Sequence, residues 1–112
     1  MRPEEKRLSP RINLQAPLRF QVRGASRAKS VVSADVSEGG VGFVSDGFIA
    51  PETPLMLQVS VASRVLNPVG KVAWSERIPH SDRYRLGVEF IEIEQVEKRY
   101  LTDYIDLQRT HF

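Results

Sequence analysis

The chain contains no cysteine. That excludes disulfide staples, thiolate metal sites and thiol nucleophiles together. Histidine is scarce as well: His80 lies in a polar stretch and His111 beside the C-terminus. Two such residues do not make a metal site that needs several ligands. No apolar run approaches the roughly 18 residues that a membrane-crossing helix requires. The first eleven residues are charged with no apolar stretch behind them, unlike a secretory signal. Together these absences fit a cytoplasmic protein without direct membrane insertion. The formal net charge is only +2 over 112 residues. A nucleic-acid-polymer binder usually has a larger basic excess, and a chain of this length holds one core and one domain.

The charge that is present is unevenly spread. Residues 1–30 carry Arg2, Lys6, Arg7, Arg11, Arg19, Arg23, Arg27 and Lys29 against Glu4 and Glu5 alone. That end can attract an anion, although a solvated basic tail has the same composition. Pro3 and Pro10 break any helix there, so residues 1–13 read as a mobile arm.

Alternation begins after the arm. Leu18, Phe20 and Val22 alternate with Arg19, Gln21 and Arg23, the pattern of a half-buried strand. Residues 29–36 and 41–45 read as strands around a tight connection at Ser37-Glu38-Gly39-Gly40. Leu55, Leu57, Val59 and Val61 alternate with polar neighbours. Residues 69–75 form another strand, and Tyr84, Leu86, Val88 and Phe90 mark the clearest one. Six short strands separated by turn signals indicate a mainly β sandwich or small barrel over residues 14–92. Phe20, Phe43, Tyr84 and Phe90 fall on apolar faces, which removes the exposed stacking platform of a single-strand nucleic-acid binder. From Ile93 the period changes. Val96, Tyr100, Leu101, Tyr104 and Ile105 recur at helical spacing, which predicts an amphipathic helix over 93–109 closing one side of the barrel.

Two short motifs carry the chemistry. Arg7 and Arg11 form an R-x-x-x-R pair. Guanidinium forks bind phosphate oxygens bidentately and stack on purines, yet on its own the pair is what a charged tail produces by chance. Asp35-Val36-Ser37-Glu38-Gly39-Gly40 is a D-x-S-x-x-G turn. Its carboxylate and hydroxyl can bond a base edge or brace their own turn. Gly39 and Gly40 allow positive φ and close approach of a ligand to the backbone. Asp35, Ser37 and His80 contain the residue types of a hydrolytic triad, but no G-x-S-x-G elbow accompanies them. The expectation is therefore a protein that is not an enzyme.

R-x-x-x-R, a strand and then D-x-S-x-x-G resembles the PilZ domain family, bacterial receptor modules for cyclic di-GMP. Val72-Ala73-Trp74, the stretch Tyr84-Arg85-Leu86-Gly87-Val88-Glu89-Phe90 and the closing helix extend the likeness from about Lys6 to Gln108. The resemblance implies a six-stranded antiparallel split barrel with a C-terminal helix and a flexible N-terminal arm. It assigns Arg7 and Arg11 to guanine stacking and phosphate contact. Asp35 and Ser37 go to the guanine edge or a phosphate, and Gly40, with Gly39, to the turn against the ligand. Lys6 adds a phosphate contact. Leu8 stands where many members have a further arginine. Trp74 lies on a strand that in some members lines the ligand face; a core position is the reading its alternation with Val72 favours, and packing on a base is the other. The resemblance implies no cofactor or metal. The ligand is cyclic di-GMP, the partner a downstream protein that the sequence does not identify, and the state a monomer or weak dimer. The alternative is an interaction module of the same fold that binds no nucleotide.

Overall fold

The alternating segments form strands β1 (Arg11–Asn13), β2 (Pro17–Val22), β3 (Lys29–Ser37), β4 (Gly40–Ser45), β5 (Pro54–Val61), β6 (Arg64–Leu66), β7 (Val69–Arg77) and β8 (Tyr84–Glu92). Helix α1 (Gln95–Arg109) follows them. The structure is a computed structural model, described over residues 11–109.

All strand pairs are antiparallel, and the sheet closes on itself in the order β3–β2–β5–β7–β8–β4 and back to β3. Eight segments make six barrel strands because two strands are interrupted. β1 and β2 run in succession against β3: Arg11 pairs with Ser37, Asn13 with Asp35 and Pro17 with Val32. The break at residues 14–16 is fastened by Ser33, whose Oγ accepts from the Ala16 N–H at 2.9 Å and donates to the Leu14 carbonyl. β6 and β7 likewise run in succession along β5 in one register. Their break falls at Asn67-Pro68, where proline has no N–H to give the ladder. The expected six-stranded antiparallel barrel with a C-terminal helix is the observed one.

Two boundaries differ from the sequence reading. Residues 11–13, expected as the end of a mobile arm, are strand β1. Ile12 faces Val36 across the ladder and packs on the core, so the pairing with β3, one apolar residue and a salt bridge described below attach this segment to the barrel. The helix starts at Gln95 rather than 93, and Val96, expected on the apolar face, is 59% exposed. The inner stripe is Glu97, Leu101 and Ile105, an i, i+4, i+8 series that puts its neighbour Val96 outside.

The core is the inward half of each strand. Phe43 is fully buried and packs against Phe20 with ring centroids 4.9 Å apart. Val36, Val41, Val72 and Val88 fill the wall behind the motif turn. Leu101 and Ile105 close one end, and the Tyr100 hydroxyl donates to the Val61 carbonyl at 3.0 Å.

Glu97 explains how a carboxylate can occupy the inner stripe. Both its oxygens accept from the Asn67 N–H, each at 3.1 Å. This is the amide at the β6–β7 break, so helix and broken strand satisfy one another. Glu97→Ala leaves that N–H without its acceptor and is expected to lower stability by about 1–3 kcal/mol. Urea unfolding followed by circular dichroism measures it; a midpoint equal to the parent's would show that water replaces the carboxylate without cost.

Candidate functional site

Strand alternation sets out the site. Val36, Val41, Val88 and Val72 pair across β3, β4, β8 and β7 and point inward. Their neighbours along each strand therefore point outward. One outer row runs Arg11, Ser37, Gly40, Glu89, Lys71. The next runs Asn13, Asp35, Gly42, Gly87, Trp74. Both rows begin on β1, pass through the D-x-S-x-x-G segment and cross to β7.

Trp74 belongs to this outer face and not to the core, which corrects the core reading. Unbroken alternation from Val72 would turn Trp74 inward. The register instead shifts between them: Val72 pairs with Val88, but Trp74 pairs with the next residue, Gly87. One extra residue in β7 is a β-bulge, and it moves every later side chain to the other face. The indole then lies across Gly87, where a Cβ would come within 2.2 Å of the Trp74 Nε1. On the adjacent strand, a Cβ on Gly42 would be 3.0 Å from the Asp35 Oδ1. Gly42 and Gly87 pair directly. The result is a glycine trough filled by the protein's own side chains: the Asp35 carboxylate lies over Gly42 and the Trp74 indole over Gly87, and both glycines are buried. Arg85, the next outward residue of β8, lies beside it and is 3.9 Å from Glu76.

Arg11 is fixed at the Asp35 side. Its Nε donates to Asp35 Oδ1 at 3.1 Å and its Nη2 donates to the same oxygen. The arginine side chain is 21% exposed. Its remaining nitrogen, Nη1, is buried with no hydrogen-bond partner among the described residues. A guanidinium nitrogen in that state costs free energy unless something accepts from it.

Ser37 is buried and engaged in its own turn: its Oγ accepts from the Gly39 N–H at 3.2 Å and lies 3.5 Å from the Gly40 carbonyl. The Gly39 carbonyl accepts from the Phe90 N–H at 2.9 Å, binding the turn to β8. Glu38 at the turn tip accepts from Thr102 Oγ1 of α1 at 2.8 Å. Gly39 and Gly40 do not use the positive φ expected of them. Gly24 is the one described glycine in that region, with φ 89.

Arg11, Asp35, Ser37, Gly40 and Trp74 thus share one outer surface, with Gly39 at its turn. Arg7 and Lys6 lie outside the described residues. Gly42, Gly87 and Arg85 had no role in the sequence reading. The available signal was a glycine inside a strand, which marks close approach of another group. His80 sits exposed at the β7–β8 hairpin with φ 61, and Ser37 is occupied in its turn, so no triad forms. Among the described residues no group of three or more His, Asp or Glu could hold a metal ion. No helix there is long and apolar enough to cross a membrane.

Comparison with solved structures agrees with this geometry at the level of fold. The inhibitor of motility MotI/DgrA from Bacillus subtilis superposes with a TM-score of 0.81 at 20% identity, covering 95% of this chain and 53% of that one. The PilZ domain of YcgR from Escherichia coli, solved with c-di-GMP, gives 0.71 at 16% identity and covers 94% and 93%. The Klebsiella pneumoniae MrkH–c-di-GMP complex gives 0.73 at 15%, covering 94% and 55%. The chain spans about half the length of MotI/DgrA and of the longer YcgR structure. No curated protein matches the sequence. The PilZ domain family model matches residues 5–107, nearly the whole chain, and with the barrel and the closing helix observed, this chain belongs to the PilZ domain family.

Proposed function

We propose that this chain is a non-catalytic, cytoplasmic receptor for cyclic di-GMP, and that the dinucleotide seats on the outer face beside Arg11, against Asp35 and the Trp74 ring. The observation that carries the reading is the state of Arg11: held in place by Asp35, with one donor that has no partner among the described residues. A ligand phosphate would accept from that nitrogen in a charge-assisted bond. Asp35 pre-orients the fork, so less ordering cost falls on binding. The paired Gly42 and Gly87 let the Asp35 carboxylate and the Trp74 ring lie flat against the sheet, and a purine can stack on the outer side of that ring. Arg85 is placed to meet a second phosphate or a base face. Arg7 and Lys6 would add cations from the preceding segment, and Lys6 beside Arg7 favours two intercalated ligands per protomer. The domain runs from the R-x-x-x-R segment through the barrel to α1, and ordering that segment over the trough would create a new surface for a partner protein.

The relatives solved with c-di-GMP, YcgR and MrkH, support this ligand. One observation supports the other reading, an interaction module that binds no nucleotide: Asp35 and Ser37 already have internal partners. Calorimetric titration with cyclic di-GMP, using GTP and cyclic GMP as controls, separates the two. Micromolar or tighter binding selective for the cyclic dinucleotide is expected, and its stoichiometry distinguishes one ligand from two. A folded protein that gives no heat would leave the interaction module.

A second expected result concerns Asp35. Asp35→Ala should weaken cyclic di-GMP binding about tenfold or more by releasing Arg11 while the far-ultraviolet spectrum stays that of the parent. Loss of the fold would instead make Asp35 a structural residue of the turn.

A further inference from the structure

A second surface lies on the strands that the trough does not use. On the outer face formed by β2, β5, β6 and the first half of β3, Val32 is 56% exposed, Met56 54% and Val65 50%. The ladder brings them onto one surface: Pro17 pairs with Val32, Arg19 with Gln58, and Ser60 with Val65. Arg19 stands at the centre. Clefts of about 240 Å³ on the Met56 side and 350 Å³ on the Val65 side are both lined by Arg19 and Gln58.

The strands of this face, β2, β5, β6 and the first half of β3, carry charge of one sign, and Glu92, paired with Val69 beyond Met56, marks the acidic edge. Residues 14–34 and 53–75 contain no aspartate or glutamate, yet they hold Arg19, Arg23, Arg27, Lys29, Arg64 and Lys71. Arg64 turns to the helix, over the Tyr100 ring, and Lys71 lies on the other outer face. The acidic residues of the barrel's other flank, such as Glu76 and Glu89, lie on β7 and β8. A face with aliphatic residues around a central guanidinium and cations at its rim complements an acidic, amphipathic surface. It does not suit a single-stranded nucleic acid, because it offers no aromatic ring for stacking; Phe20, the aromatic residue of β2, points into the core.

We propose that this face is a docking surface for a partner protein that presents carboxylates alternating with aliphatic side chains, with Arg19 as the central contact and Met56 and Val65 as flanking apolar ones. The methionine adapts its shape to different aliphatic neighbours, and the exposed aliphatic area is what distinguishes the face from a merely solvated basic surface. The inference stands apart from the dinucleotide reading: it uses no residue of the trough and survives if cyclic di-GMP does not bind.

The test is a titration of the ¹⁵N-labelled chain, without cyclic di-GMP, with a short synthetic peptide alternating glutamate and leucine. Parallel arms use the lysine–leucine counterpart, phosphatidylglycerol vesicles and a short single-stranded oligonucleotide. Saturable shifts at the amides of Arg19, Val32, Met56, Gln58 and Val65 are expected with the glutamate peptide alone. Arg19→Glu should weaken that response at least about tenfold, as for loss of a charge-assisted contact, and Val65→Glu should weaken it through like-charge repulsion. Arg83→Glu, the same charge change at the β7–β8 hairpin, should leave it intact. Shifts elsewhere or none, an equal response to the lysine peptide, or tighter binding to vesicles or oligonucleotide would overturn the proposal. So would concentration-dependent self-association through this face in sedimentation, because the occupant would then be a second copy.

Discussion

Arg11→Ala is expected to lose cyclic di-GMP affinity by an order of magnitude or more while the barrel remains folded. Two contributions add. The variant loses the open Nη1 donor, and a hydrogen bond to a charged group is worth roughly 1.5–3 kcal/mol. It also leaves Asp35 without the fork that fills one of its oxygens, placing an unpaired carboxylate beside the ligand phosphate. The stability cost should be small. The pair is only partly buried, where such bridges contribute about 1 kcal/mol or less, and the β1–β3 ladder does not depend on the side chain. Arg11→Lys is expected to rescue little, because an ammonium keeps the charge but cannot hold Asp35 with two nitrogens while directing a third at the ligand. Calorimetry on both variants, with thermal melts as controls, decides it. Parent-like affinity in Arg11→Ala would falsify the placement of the ligand against β1.

Gly87→Val should affect the other half of the site. The new Cβ would fall 2.2 Å from Trp74 Nε1 and 2.3 Å from its Cε2. Both are ring atoms, so the whole indole must move. It lies on the outer face, and the relief available is to swing into solvent. That relief keeps the stability loss near the lower end of the roughly 1–3 kcal/mol seen for overpacking. It displaces the ring on which a base would stack, and affinity for the cyclic dinucleotide is expected to fall at least about tenfold, equivalent to about 1.4 kcal/mol. Trp74 is the one tryptophan in the chain, so its emission reports the displacement directly. A red shift in the free variant is expected, together with loss of the ligand-induced change that the parent shows. Trp74→Ala in the same background should recover part of the stability, because the two positions share one clash. A variant with unshifted emission and unchanged affinity would place the ligand off the glycine pair.

These two substitutions also separate what could be read from the residues and what could not. The period-two alternation of Leu55, Leu57, Val59 and Val61, or of Tyr84, Leu86 and Val88, states both that a strand forms and which side is buried. The same holds for the helical period through Leu101 and Ile105. Local pattern suffices there, because each side chain's direction follows from its neighbours along the chain. The D-x-S-x-x-G segment was legible for a similar reason, since Ser37 braces a turn three residues long.

The errors arose where a distant residue decides. Alternation with Val72 places Trp74 in the core, but one additional residue in β7 reverses its face, and that bulge is visible only in the register against β8. Residues 11–13 were read as arm because their pairing partners lie 22 to 26 residues away on β3. Gly42 and Gly87 meet only when β4 pairs with β8. By itself the sequence determined six of the eight strand segments, the helix, most of the inward-facing residues and the chemical types available to the site. The tertiary structure decided which of those types stand side by side, because closing a barrel sets neighbours by ladder register across strands, a quantity that no single segment contains.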